Sequence, residues 1–343
     1  MSRVFVHGLG AVSPAGWGVS PLSETIKKGE PLPTQVLPRP GWEKPLRIRA
    51  VPAAPTRPAF LAHPRLRRAG AMTQHTIAAA LEALGSDVAR VQSGELRLGV
   101  IVCMMAGGVT YSRRFYEEVL RDPAMASPLI FPETVFNAPA SHLSAYLNSP
   151  TVNYTLVGDD GMFLQGVALA ANWLASDRAD ACLVVGTEET DWIVADAVRL
   201  FRRDTIYTGG AGALYLKSTQ HAAAESPASE LAMVTDSFSY TQKQGRAEAA
   251  KKMRAQLPVA APNELICDNV AEGLEDHHSA GQRLMPKAVL GEAFVASAAW
   301  QCVAVCDRLR QNEFTAANVN TMGANQQAIG ARFVSARFMG KPL

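Results

Sequence analysis

Paired thiols, charge and aromatic rings are all scarce in this 343-residue chain, and each shortage removes a class of function. The five cysteines (Cys103, Cys182, Cys267, Cys302, Cys306) form no CxxC pair and show no zinc-like spacing, so neither a structural zinc site nor a dithiol redox centre is expected. Cys302 and Cys306, four apart in a helical pattern, read as small buried side chains, and Cys103 as strand core. Charged residues make up 19% and hydrophobic ones 48%, which excludes wholesale disorder and predicts a substantial core. A net charge of only +2 argues against a dedicated nucleic-acid binder. No apolar run is long enough to span a bilayer. The opening MSRVFVHGLGAVSPAG reads as a strand and Gly/Pro turn rather than a secretory leader. A cytoplasmic protein with no membrane span and no metal or other cofactor is expected. Two basic clusters, Arg65-Leu66-Arg67-Arg68 and Arg202-Arg203, read either as solvated surface or as docking points for an acidic partner.

What is present is a succession of buried strands and helices. Residues 3–12 and Leu98–Met104 read as strands, and Thr73–Leu84 is Ala/Leu-rich at helical spacing. A Pro-rich stretch from Pro31 to Pro64 reads as irregular chain wrapping the surface. The block 150–188 is the most informative. Thr151–Val157 is strand-like, Gly158-Asp159-Asp160-Gly161 a tight turn, Met162–Ala175 apolar on nearly every face, and Ala179–Gly186 another buried strand. That order describes a βαβ unit with its turn at the carboxyl edge of a sheet, where ligand sites tend to lie.

A helix over Trp192–Phe201 and a strand over Gly209–Lys217 complete the first part. The second part repeats the element order after a polar, Ala-rich break: strand (Glu230–Ser237), helix (Ala247–Gln256), strand (Glu264–Asp268), helix (Ala293–Leu309) and a closing strand pair. Two similar α/β halves are expected, residues 1–217 and 230–343, joined by a linker over 218–229. Their strands read as continuous apolar runs, as in sheets covered on both faces.

Six segments, in order along the chain, resemble the β-ketoacyl-acyl-carrier-protein synthases of the thiolase superfamily. They are VFVHGLGAVSPAG, PLIFPETVFNAPASHLSAYLNSPTVNYT, ADACLVVGTEE, GGAGALYLK, MPKAVLGEAFVASAA and NTMGANQQA. The resemblance implies a thiolase-like fold with an α/β/α/β/α layered core. It also implies a dimer in which the strand before the nucleophile helix pairs across the two-fold axis.

The departures from the family fall on its chemistry. The family's nucleophilic Cys aligns with Asp160, its first catalytic His with Asn269, and its second with Glu292, while the Lys before that second His survives as Lys287. The loop that lines the acyl pocket in the family aligns with Met322, Gly323, Ala324 and Asn325, Ala324 replacing the gating Phe. Condensation needs a thiolate to carry the acyl chain and donors to stabilise the charge released by decarboxylation. Asp160 at a helix N-terminus is expected to be ionised and held there by ~0.3–2 kcal/mol. It is a poor acyl acceptor, because an anhydride hydrolyses readily. Asn269 cannot shuttle protons at neutral pH, and a charged Glu292 would repel a developing oxyanion.

Two readings of these positions stand side by side. In the first, Asp160, Asn269 and Glu292 refill a dead site, with Lys287 neutralising buried charge. The resemblance then points to chain length factors, subunits that have lost the Cys and pair with an intact ketoacyl synthase in fatty acid, polyketide or aryl polyene biosynthesis. In the second, two carboxylates and a Lys in a cleft form an acid/base site. The chain would then be a divergent enzyme (decarboxylase, hydrolase or acyltransferase) on an acyl-carrier-protein substrate, or a homodimer binding an acyl chain. His277-His278 reads as an exposed loop rather than a metal pair. Glu188-Glu189 with Asp191-Trp192 reads as a surface turn or an interface.

Overall fold

The computed structural model describes residues 3–149, 152–219, 227–241, 243–269, 279–324 and 327–336. The first part opens with β1 (Val4–Ser13), β2 (Gly16–Trp17), α1 (Val19–Lys28), β3 (Gln35–Leu37) and β4 (Leu46–Arg49). It continues through α2 (Ala71–Leu84), α3 (Asp87–Gln92), β5 (Leu98–Met104), α4 (Val109–Arg121) and α5 (Ala138–Tyr146). Then come β6 (Asn153–Val157), α6 (Met162–Ala175), β7 (Ala181–Glu188), α7 (Trp192–Phe201), β8 (Tyr207–Thr208) and β9 (Gly210–Ser218). The second part comprises β10 (Ser229–Val234), β11 (Phe238–Ser239), α8 (Lys243–Gln256), β12 (Leu265–Asp268) and β13 (Gln282–Leu284). It closes with α9 (Pro286–Leu290), α10 (Phe294–Arg310), β14 (Ala316–Met322) and β15 (Gln327–Ser335).

The main sheet runs β13-β12-β14-β15-β10-β1-β9-β7-β5-β6. Read outward from its centre, β1-β9-β7-β5-β6 and β10-β15-β14-β12-β13 have the same order and the same directions. In each, the strand beside the first is antiparallel to its neighbours and the outer three are parallel. Antiparallel pairing of β1 with β10 splices the two arrays together. Strands β5, β7, β9 and β14 are buried along their whole length, because helices cover both faces.

Helix α2 lies on the outside of the first array, against β1, β7 and β9, and α8 lies outside the second, against β15. Between them, α10 packs on strands of both arrays and on α6, and every residue from Phe294 to Leu309 is buried. These contacts give the α/β/α/β/α layering that the family resemblance implied. Close approach of α2 to β1 depends on two glycines. A Cβ on Gly8 or Gly10 would lie 1.8 Å or 1.9 Å from the carbonyl oxygens of Ala83 and Ala79.

Four expectations need correction. The Pro-rich stretch is not wholly irregular: β3 and β4 form a small sheet with β8, and β8 bridges to Glu292. Helix α6, apolar on nearly every face, is not covered all round, since Ala168, Asn172 and Ala175 are exposed. Its covered side faces β5, β7 and α10, while β6 beside it is an edge strand that among the described residues pairs only with β5. Strand β13 and the short helix α9 carry no periodic signal and were not foreseen. The break between the two parts is tighter than 218–229, because Ser218 closes β9 and Ser229 opens β10; residues 220–226 lie outside the described residues.

Candidate functional site: a buried lysine between two carboxylates

Asp160 sits in the turn between β6 and α6, two residues before the helix begins, and its side chain is fully buried. The turn is closed by backbone bonds from Met162 N to Asp159 O (2.9 Å) and from Phe163 N to Asp160 O (3.3 Å). The first helical turn has no side-chain cap, so no hydrogen bond from the helix is made to the Asp160 carboxylate. The carboxylate turns instead to the other half of the chain.

Lys287, on α9, places its ammonium against Asp160 Oδ2 and 2.8 Å from the carboxylate of Glu292. The Asn269 amide spans the gap between arrays: Nδ2 donates to Asp160 Oδ2 at 3.2 Å, and Oδ1 accepts from Met322 N at 2.8 Å. Glu292 Oε1 accepts from Phe294 N at 2.9 Å, and Oε2 from Arg202 Nη1 at 3.3 Å. Phe294 opens α10 with φ of 41°, a left-handed conformation unusual for a non-glycine residue, and the Glu292 carboxylate anchors its amide. Asp160, Asn269, Glu292 and Lys287 therefore meet in one cluster, although up to 132 positions separate them in the chain.

Burial pushes the Asp160 carboxyl up, and the nearby Glu292 charge adds to this against the pull of Lys287. Burial would also raise Glu292, but the Lys287 ammonium outweighs it and Arg202 helps, leaving Glu292 below its ordinary range. For Lys287 burial works against the charge, and the two carboxylates more than offset it. Among the described residues, Asp160 Oδ1 is buried without a hydrogen-bond partner.

Sequence reasoning missed two members of the surroundings. Glu188 and Glu189 are buried, as is Asp191, so the surface-turn reading of this segment is overturned. Glu188 at the end of β7 accepts from Met105 N (2.6 Å) and Ala106 N (3.2 Å). Burial pushes it up to about 8, reinforced by the charges of Asp160 and Glu292. Arg202, read as surface or docking charge, reaches Glu292. Only the run of acids at 188–191, ending a buried strand, could have flagged this segment.

Met322 ends β14 beside Asn269, and Gly323 follows with its carbonyl accepting from the Tyr240 hydroxyl. Ala324 is half-buried against the core. Asn325 lies outside the described residues, as do His277 and His278. The five cysteines are all buried and free, on β5, β7, β12 and α10. No thiol and no imidazole joins the cluster among the described residues, and no group of acids, His and Cys there could hold a metal ion. No described helix is long and apolar enough to cross a membrane. Chemically the cluster is a charge-compensated acid pair with an amide donor. It can hold protons and bind a polar group, but it contains no group suited to carry a thioester.

No protein-family profile matches the chain, and no curated protein matches it in sequence. Solved structures do match it in shape. A type II polyketide ketosynthase in complex with its acyl-carrier protein aligns with TM-score 0.76 and 17% identity, over 97% of this chain and 99% of that one. The ishigamide ketosynthase/chain length factor aligns with TM-score 0.76 and 16% identity over 97% and 99%. A β-ketoacyl synthase from Burkholderia phymatum gives 0.77 and 16% over 98% and 100%. The chain therefore has the thiolase-like fold of the β-ketoacyl synthases and chain length factors.

Proposed function

We propose that this chain is a non-condensing ketosynthase-like subunit, acting as a chain-length-factor-like partner of an intact ketoacyl synthase in fatty acid, polyketide or aryl polyene biosynthesis. The observation that carries the reading is the occupant of the nucleophile position. Asp160 is buried and engaged by Lys287 and Asn269, an arrangement that closes the place where an acyl thioester would form. The family resemblance then makes Met322, Gly323 and Ala324 part of an acyl-pocket lining rather than of a reacting centre. The two halves, residues 1–217 and 230–343, serve as scaffold, connected between Ser218 and Ser229.

Two further features support a partnered role. Among the described residues strand β6 has a free edge, and it bears exposed Tyr154 and Val157; such an edge favours pairing with another chain. The exposed Arg57, Arg65, Arg67 and Arg68 suit an acidic carrier protein. A second reading, a divergent acyl-carrier-protein enzyme using Asp160, Glu292 and Lys287, is favoured by the unpartnered Asp160 Oδ1.

Co-purification of the tagged chain from its native host separates the two readings. An intact synthase recovered at equal stoichiometry, with carbon dioxide release from malonyl-carrier protein only in its presence, supports the partner role. An isolated homodimer that turns over acyl-carrier protein alone overturns it.

A further inference from the structure

We propose that Lys287 and Asp160 become joined by an isopeptide bond, formed once in each molecule inside the folded chain. The components of an amide-forming site are all in place. The amine and the carboxyl are in contact, and Glu292 lies 2.8 Å from the same nitrogen as a proton acceptor. Asn269 Nδ2, 3.2 Å from Asp160 Oδ2, withdraws electron density from the carboxyl group. The Asp160 side chain is fully buried, that of Glu292 is 4% exposed, and that of Lys287 is 16% exposed. Water to reverse the reaction is correspondingly scarce.

Both reacting groups are held on fixed elements. Asp160 lies in a closed turn before α6, and Lys287 lies on α9 beside buried Pro286, Val289 and Leu290. Such positioning is equivalent to an effective concentration of roughly 10⁵ M or more.

The step balances without an oxidant or an activated donor. Glu292 takes one proton from the Lys287 ammonium. The freed amine attacks Cγ of Asp160 in its acid form, making the C–N bond. The nitrogen then passes a second proton to the departing hydroxyl, the C–O bond breaks, and water leaves. The product is an amide, with the first proton left on Glu292. In bulk water the ion pair would be favoured. Here both ions have been stripped of solvent, a cost of several kcal/mol per ion, which a neutral amide does not carry. The amide also leaves the neutral Glu292 acid free to accept a hydrogen bond from Arg202, and Asn269 able to donate to the new carbonyl. Deprotonating Lys287 against its two carboxylates is slow, but one event per molecule is enough.

This inference concerns the same cluster as the proposed function without resting on it, since the bond could form whether or not the chain partners a synthase. The test is the intact mass of the denatured, purified full-length chain. The expected result is a mass one water below that of the sequence, with a branched peptide joining the Asp160 and Lys287 segments after digestion. Lys287→Arg and Glu292→Gln should retain the full sequence mass. Asp160→Asn should expel ammonia and converge on the same product mass as the natural chain. A natural chain that keeps its full mass after days of incubation overturns the proposal. So does a water loss that persists in Lys287→Arg, which would mark a cyclic imide at Asp160-Gly161 instead.

Discussion

Gly323 and Asp159 are packed so closely that a Cβ on the glycine would lie 1.6 Å from Asp159 Oδ2. Asp159 is buried and accepts from Gln327 Nε2 at 3.2 Å, so the turn before α6 interlocks with the turn between β14 and β15. Gly323→Ala should displace Asp159 and loosen this joint, destabilising the chain by ~1–3 kcal/mol. Thermal unfolding of the variant, compared with Ala324→Gly as a neighbouring control, measures it; an unchanged midpoint would show that the two turns move apart freely.

Restoring a thiol should not restore condensation. In Asp160→Cys the new side chain could be acylated, but decarboxylation also needs donors where charge develops. Asn269 offers one neutral donor, and Glu292 places negative charge there. At about 2.7–4 kcal/mol for each missing donor, condensation should stay several orders of magnitude below that of a synthase, even allowing for non-additivity. Carbon dioxide release and product mass from acyl- and malonyl-carrier proteins are the readout, and robust turnover by either form would refute the non-condensing reading.

Removing the cation should be costly when freshly made chains, in which the Lys287–Asp160 amide has not yet formed, are compared. Lys287→Met leaves Asp160 without a counter-charge and Glu292 with Arg202 alone. Breaking a buried pair on one side destabilises by ~3–5 kcal/mol. Adding Asp160→Asn should recover part of that loss, because the stranded charge disappears. Urea unfolding of the two single variants and the double variant gives the coupling, and strict additivity would mean the groups do not interact.

Stability should fall as pH rises from about 6.5 to 8. Burial raises the Glu188 carboxyl to about 8, so the folded chain binds a proton that the unfolded chain has lost, and stability declines through that window. Buried His7 and His75, each lowered to about 4, act oppositely between about 4 and 6.5, where only the unfolded chain binds their protons. Above 6.5 Glu188 acts in the same direction as Asp160, whose carboxyl burial raises to about 7, and each group contributes a slope of at most ~1.4 kcal/mol per pH unit. Urea midpoints at pH 6.5 and 8 should differ in the natural chain, and the difference should shrink in Glu188→Gln.

Much of the fold is legible in local patterns. The helices Met162–Ala175 and Trp192–Phe201 and the strand Leu98–Met104 have the limits that apolar runs and flanking turn residues assign them. Strands β3, β4, β8 and β13 have at most four residues each and owe their pairing to distant partners, so no local period announces them. The meeting of Asp160 with Lys287 and Glu292 was legible only through the family resemblance, since no spacing rule relates positions in different halves. Glu188 escaped notice because an acid at the end of an apolar strand usually marks the surface, and here the neighbouring Met105 and Ala106 amides replace solvent.

The central position of β1 also sets a clock. Its long partners are β9, residues 210–218, and β10, residues 229–234, and only a two-residue hairpin with β2 lies nearby. During synthesis at ~5–20 residues per second, the apolar segment VFVHGLGAVS emerges ~10–40 s before either neighbour exists. Non-local pairing of this kind is slow to form. Until β9 arrives, β1 is an open ribbon on the nascent chain, so the interval in which a chaperone can act, or aggregation can begin, is set by the ribosome rather than by the stability of the finished fold.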